Sequence, residues 1–312
     1  MKLSLSNFPL EFFYDIETDQ LKMLEVIKEC GYTCTDYNVR MEYLDDRLEE
    51  RAKELKAHLE ALGMEAPQAH APGISPLSPP EGVDVYDALA KCLKFCQIAG
   101  IPNIVIHSIC QKDNTKEEFM QMNIEFYRAL IPAMEETGVE ILLENIGHYM
   151  DAYYLKDGAA LRELIDALDH PMFGACWDVG HANLYRSSDC SQYDSIIALG
   201  DKLKALHVHD NVSYFEPSYR HHRIDMHTFP FATQYCCVNY DGVLQALKDI
   251  NYQGTYNFEV MSATRSIRPS FTYNGEVVRT LEFFPIHLWK MAHTYLYEIG
   301  KYMLETYDLY EG

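Results

Sequence analysis

The sequence predicts one α/β domain, a single (β/α)8 TIM barrel with a C-terminal helical extension. Three observations carry that prediction. Short β-rich runs recur eight times along the 312 residues, about one in every 39. Amphipathic helical patterns separate most of them. No Gly-rich phosphate loop follows an early strand, as a doubly wound sheet would show. A barrel of this kind takes about 250 residues. No linker-like shift in composition, fixed repeat or low-complexity tract divides the chain, so 1–312 reads as one domain.

The predicted strands are Leu3–Ser6, Thr33–Asn38, Ala66–His70, Asn103–Ser108, Glu140–Asn145, Phe173–Trp177, Ala205–His209 and Thr255–Glu259. The first helical pattern, Asp19–Cys30, opens with an acid and sets Leu21, Met23, Leu24, Ile27 and Cys30 on one face. The next, Asp45–Leu62, carries Leu44, Leu48, Leu55 and Leu59 as its apolar stripe. Val85–Ala99, Thr115–Thr137, Asp157–Leu168 and Asp241–Ile250 follow the same logic. Ala71–Val83 is rich in Pro and Gly and reads as a loop. Val212–Val238 is a long segment of aromatics, His and Arg without a clear period. It follows the seventh strand, which in a barrel places it over the C-terminal mouth. The tail, 276–312, reads as the eighth helix plus an extension. Its Phe283, Phe284, Trp289, Tyr295, Tyr297 and Tyr302 suit packing on the barrel or on a second copy in a homo-oligomer.

Hydrophobic residues are 48% and aromatics 12%, enough for a sizeable core, which excludes a mainly disordered chain. Lys and Arg number 26 against 47 Asp and Glu, a net charge of −21. Phosphate backbones are gripped by Lys and Arg, so nucleic acid is not an expected partner. Anionic membrane surfaces would repel such a chain. No stretch reaches the roughly 18 apolar residues of a membrane span, and the N-terminal segment turns acidic too early for a signal core. The chain is expected to be cytoplasmic. The nine cysteines are odd in number and irregular in spacing, which suits buried free thiols.

The chemistry is expected at the ends of the later strands. Strand five (ILLEN) stops at Glu144, and strand six (ACWDVGH) offers Asp178 and His181. Strand seven (ALHVHD) offers His207, His209 and Asp210, and strand eight (YNFEV) offers Glu259. An apolar run that ends in a carboxylate or imidazole needs a partner for that group, because a lone buried charge is costly. Glu, Asp, His and Glu on successive strands would surround one divalent cation with three oxygens and one nitrogen. Manganese, zinc, cobalt and magnesium all suit that set.

Taken together, LLEN, DVGHANL, HVHDN and the final FEV resemble the signature of the xylose-isomerase-like barrel superfamily. Its members include sugar and sugar-phosphate isomerases and epimerases, inosose-processing enzymes and apurinic-site endonucleases. The resemblance implies Glu144, Asp178, His207 and Glu259 as metal ligands. It prefers His207 to His209, which is then expected on the opposite side of the strand or outside the ligand set. It implies Glu144 and Glu259 as the acid–base pair, and His181 in reach of a substrate oxygen.

The endonuclease members add ligands for further zinc ions, and candidates stand at His70, His107, His181, Asp225 and His227. Those enzymes tend to read D-T-C-H where this chain reads Asp178-Val179-Gly180-His181. Sugar-handling members also keep histidines at strands three and four and a D-x-H in this loop, and their usual continuation is Pro-Gly-x-Gly, whereas here it is Pro230-Phe231-Ala232. Ketose 3-epimerases carry an Arg soon after the strand-seven ligand. Here the segment 211–215 has none, and Arg220 and Arg223 follow. Those two arginines are candidates for gripping a phosphate or carboxylate. Trp177, Tyr214 and Phe215 are candidates for an apolar wall against a sugar face.

The expected function is metal-dependent isomerisation or epimerisation of a small carbohydrate, by proton transfer next to a polarised carbonyl. The alternative is a lyase or hydrolase on the same scaffold: an inosose-type dehydratase, a carbon-glycoside-cleaving subunit or a zinc phosphoesterase. A binding barrel without chemistry is the third class.

Overall fold

All eight predicted runs form strands, and they pair in parallel in sequence order. The structure, a computed structural model, describes residues 1–7, 16–146, 153–184, 191–211, 225–234, 236, 238–261, 271–278 and 285–311. The strands are β1 (Leu3–Ser6), β2 (Cys34–Asn38), β3 (Glu65–His70), β4 (Asn103–Val105), β5 (Glu140–Glu144), β6 (Phe173–Asp178), β7 (Leu203–His207) and β8 (Tyr256–Phe258). Hydrogen-bonded pairing runs from β7 through β1 to β8. The last gap is bridged just past β7, where Val208 N–H donates to Asn257 O at 2.8 Å and Glu259 N–H to Val208 O at 3.1 Å. The sheet thereby forms a barrel, which leaves no long edge open.

The helices are α1 (Ile16–Glu29), α2 (Leu48–Leu62), α3 (Val85–Ala99), α4 (Lys116–Arg128), α5 (Ile131–Thr137), α6 (Gly158–Leu168), α7 (Val179–Leu184), α8 (Gln192–Leu199), α9 (Tyr240–Asp249) and α10 (Ile286–Thr306). Their starts are written in the sequence. Asp84 caps α3 by accepting from Tyr86 and Asp87 N–H, and Asp157 caps α6 by accepting from Ala160 N–H. Thr115 and Glu118 form a reciprocal capping box on α4.

Three segments differ from expectation. The single helix predicted over Thr115–Thr137 is two, because Pro132 has no N–H to donate and fits only the first turn of a new helix. Two helices, α7 and α8, occupy the connection after β6 where none was predicted. The tail begins with a hairpin, β9 (Phe271–Tyr273) and β10 (Glu276–Val278), so 276–278 is strand and not helix. One 21-residue helix, α10, then closes the ring against β1 and α1. It can approach closely because Gly300 presents no side chain where Phe258 and Leu3 pack. Trp289 and Leu296 are buried on its inner face, while Tyr295 and Tyr302 are exposed.

The core has two parts, set by strand alternation. Ile141, Leu143, Ala175, Trp177, Leu206 and Phe258 join the layer between strands and helices. Val105, Leu142, Cys176 and Ala205 form a separate cluster inside the barrel. The residues two further along those inner faces are His107, Glu144, Asp178 and His207. All described cysteines are free, and among the described residues no helix is long and apolar enough to cross a membrane.

Candidate active site

The period-2 alternation delivers one chemical side chain per strand to the C-terminal mouth. Glu144 is the last residue of β5, Asp178 of β6 and His207 of β7, and Glu259 follows β8 directly. Glu144, Asp178 and His207 are each 1% exposed or less. Their ligand atoms, with one from Glu259, lie within 4.8 Å of one another. His207 Nδ1 stands at the centre: 2.9 Å from Glu144 Oε1, 3.5 Å from Glu259 Oε2 and 4.0 Å from Asp178 Oδ2.

Two further groups adjoin this one, and a third, His70–His207–Glu259, overlaps it. His70 ends β3 and His107 follows β4; their Nε2 atoms are 3.0 Å apart and face Glu144 Oε2 at 3.6 and 3.0 Å. On the other side, Asp225 Oδ2 lies 2.9 Å from both His181 Nε2 and His227 Nε2. Each group brings its ligand atoms within 4.8 Å, and His209 joins the second. The sequence-derived ligands Glu144, Asp178, His207 and Glu259 therefore converge, and so do His70, His107, His181, Asp225 and His227.

These residues fit divalent cations. Glu144 Oε2 and His181 Nδ1 are buried and make no hydrogen bond, although other ligand atoms face them at 3.0 to 3.4 Å. Donor atoms that point at one another without hydrogen-bond alignment are what a cation between them would satisfy. Among the described residues lining the mouth, Arg40 is the one Lys or Arg, so no ammonium or guanidinium cluster neutralises the carboxylates.

The electrostatics follow from burial. Desolvation alone would raise the Glu144 carboxyl, but the imidazoles of His207, His107 and His181 around it hold it well below the usual range. Asp178 is lowered in the same way, by His181 and His209. Burial would lower the His207 imidazole; Cys176, Glu259, Glu144 and Asp36 outweigh it and raise it well above its ordinary value. Burial would also lower His227, but Asp225 raises it to about 9.

The loop carrying Asp225 and His227 is held at several points. Thr228 pairs with Asp210 through two backbone hydrogen bonds. Asn211 Nδ2 donates to Asp225 Oδ1 at 3.0 Å. His227 sits at φ 43°, in the left-handed region, with its Nδ1 3.0 Å from the backbone carbonyl of Glu259. Phe231 stands at φ 60°, where the related motif has Gly, and packs its exposed ring edge-on to Tyr240.

Two expectations need correction. Of the two places expected for His209, the opposite side of the strand is wrong, and a place outside the Glu144–Asp178–His207–Glu259 group is what the structure shows. Residues two apart share a face, and His209 Nε2 lies 3.0 Å from the Asp178 carboxylate. Trp177 does not reach substrate: it is fully buried outside the barrel and donates its indole N–H to Gln192 Oε1 at 3.0 Å. Arg220, Arg223, Tyr214 and Phe215 lie outside the described residues.

Other residues went unnoticed in the sequence. Asp36 holds the far side of His207. Asn145 clamps the backbone of Asp178, accepting from its N–H and donating to its O, both at 2.8 Å. Tyr153 donates to Glu144 O at 3.1 Å. Asn145 stands in the LLEN motif, but nothing in the sequence pairs it with Asp178, 33 residues on.

Two predictions follow from packing and charge. A Cβ at Gly180 would penetrate the His209 ring, so Gly180→Ala should lower stability by about 1–3 kcal/mol, read by urea unfolding; an unchanged midpoint would sink this packing role. His227 has a folded pKa near 9 against an ordinary 6.5, so it stabilises below pH 6.5 and that contribution is lost as pH rises to about 9. Chelated protein should accordingly melt lower at pH 9 than at pH 6.5. Metal-loaded protein should show the reverse slope, because cations replace those protons.

Known proteins resemble this chain at the level of family and of fold. A family model described as xylose isomerase-like TIM barrel matches residues 24–283. A curated relative, an uncharacterised protein of Methanocaldococcus jannaschii, is 24% identical over 146 residues, covering 47% of this chain and 45% of the relative's own length. Among solved structures, D-psicose 3-epimerase with D-tagatose from Clostridium cellulolyticum superposes with a TM-score of 0.71 at 16% identity, covering 97% of this chain and 99% of that one. A D-tagatose 3-epimerase-like protein gives 0.69 at 18%, covering 99% and 98%. The IolI protein with a zinc atom gives 0.67 at 15%, covering both chains fully (100% each). At these identities the structures speak for the fold. The family model spans most of the barrel, from within the first helix to beyond the last strand of the ring, and the chain belongs to the xylose isomerase-like TIM barrel family.

Proposed function

We propose that the protein is a metal-dependent isomerase or epimerase of a small carbohydrate, with Glu144 and Glu259 as its acid–base pair. The observation that carries this is the placement of those two carboxylates. They flank His207 Nδ1 at 2.9 and 3.5 Å, and both line a cavity of about 410 Å³. That volume suits a single small molecule. Sugar epimerases among the fold neighbours, D-psicose 3-epimerase and L-ribulose 3-epimerase, support the reading.

A cation held by Glu144, Asp178, His207 and Glu259 would supply Lewis-acid polarisation of the substrate carbonyl. The chain's own residues do the rest. One of the two glutamates removes the proton on the carbon next to the carbonyl, and the C–H electron pair moves into the carbonyl to give an enediolate. The other, protonated, returns a proton to the opposite face and inverts the centre. Isomerisation instead returns the proton to the neighbouring carbon. His181, whose Nε2 meets Asp225 while its Nδ1 makes no hydrogen bond, is the imidazole assigned to a substrate oxygen, and His227 is held on both nitrogens by Asp225 and the Glu259 carbonyl. The Ala71–Pro72–Gly73 segment, Val39, Met41 and Met261 give the cavity its apolar surface.

Glu144→Gln and Glu259→Gln should each lower turnover at least about 10²-fold and stop uptake of deuterium from heavy water at the substrate carbon. Wild-type turnover in either variant would remove the acid–base assignment.

A second reading is favoured by the two adjoining ligand groups, His70–His107–Glu144 and His181–His209–Asp225–His227. Loaded with further zinc, the same mouth would suit phosphoester hydrolysis. Elemental analysis of protein purified without chelator separates the two. About one divalent ion per chain is expected for the isomerase. Two or three zinc ions per chain, with cleavage of a phosphoester and no proton exchange on ketoses, would replace it with the hydrolase.

A further inference from the structure

Asp36 is a carboxylate with 0% exposure, on β2, far in sequence from every ligand considered above. Its strand faces the barrel interior at Asp36 and again at Asn38, which lines the mouth. Asp36 therefore lies one step below the mouth. Its Oδ2 is 3.1 Å from His207 Nε2 and 3.4 Å from Asn257 Nδ2. Its Oδ1 has no hydrogen-bond partner. A buried carboxylate with so little other support is held in place by the imidazole it meets.

The imidazole has two nitrogens with different tasks. Nδ1 faces Glu144, Asp178 and Glu259, while Nε2 faces Asp36. Only one assignment serves a metal ligand: the proton on Nε2 and the lone pair on Nδ1. A carboxylate behind a ligating histidine selects that tautomer, stops the ring from turning and makes the free nitrogen more basic.

We propose that Asp36 is a positioning residue for the metal centre: it accepts the Nε2–H of His207, turns the Nδ1 lone pair toward Glu144, Asp178 and Glu259, and so sets how tightly that group holds a divalent cation. This rests on the reading of those four residues as a metal site. It adds a fifth residue, on the opposite arc of the barrel, that touches neither cation nor substrate. Two substitutions separate its parts. Asp36→Ala leaves Nε2–H without an acceptor. Asp36→Asn keeps an oxygen that can accept and removes the charge.

The test is zinc affinity of the full chain, titrated against a chromophoric chelator until every binding step is resolved. Asp36→Ala should weaken one step by about 10–100-fold, and Asp36→Asn should recover part of that loss. Nitrogen-15 spectra of the zinc-loaded protein should show His207 protonated at Nε2 in the wild type and in Asp36→Asn. The melting temperature of the zinc-free variants should move by no more than a few degrees. If Asp36→Ala does not fold, Asp36→Asn carries the test, with a weakening of one step expected. Zinc affinity equal to wild type in the folded variants overturns the proposal and leaves the metal site standing. A loss of affinity matched by an equal loss of zinc-free stability also overturns it, since Asp36 is then only structural. A wild-type chain that takes up no zinc overturns the metal site itself.

Discussion

Glu144 is 1% exposed, and four histidines face its two oxygens: His207 at 2.9 Å, His107 at 3.0 Å, His181 at 3.4 Å and His70 at 3.6 Å. A carboxylate in that position must be compensated, because losing its water costs several kcal/mol. The compensation is spread over β3, β4, β7 and the start of α7. Each of those elements has to end at the right depth for its imidazole to reach one shared group. Tyr153 and Asn145 fix the backbone around the end of β5 and link it to β6. The mouth of the barrel is therefore a set of strand ends tied through one residue.

The barrel makes this convergence possible through alternation. Along each strand, every second residue faces inward. Leu142, Cys176, Ala205 and Val105 fill the interior with small or apolar volume. The next inward positions are polar and lie above that plug. Apolar layers below keep water out, so the charges above act in a medium of low polarisability, where pairing and metal binding are strong. The overall charge of −21 is concentrated chemistry here as well as surface repulsion, since the described mouth carries Arg40 as its one guanidinium or ammonium group.

The described part of the connection after β7 is tied to the strand ends at several points. Asp210 and Thr228 pair by backbone, Asn211 grips Asp225, and His227 is held in the left-handed region by its bond to Glu259 O. His209 stacks on His227 with ring centroids 3.8 Å apart, and it fits beside Asp178 because residue 180 is Gly. Phe231, where the related motif has Gly, stands at φ 60°, in the left-handed region that favours glycine. The local cost at His227 and Phe231 is offset by the contacts that fix Asp225 between two imidazoles.

Much was legible in the sequence by itself. Eight β-rich runs and their helices gave the barrel, because hydrophobic period is a local property of the chain. The strand-end groups Glu144, Asp178, His207 and Glu259 stood out because an apolar run seldom stops in a charge without reason. The tertiary structure decided what distance along the chain hides. Asp36 looked like an ordinary polar residue of a strand, since its partner His207 is 171 residues away. Trp177 sits beside Asp178 in sequence, yet strand alternation sends it to the helical layer. His209 shares a face with His207, but only the closed barrel shows that it grips Asp178. The split at Pro132 and the hairpin at 276–278 depended on local backbone chemistry set against neighbouring elements. Sequence carries period and residue type; which buried groups meet is settled when the sheet curves and brings strands two and seven face to face.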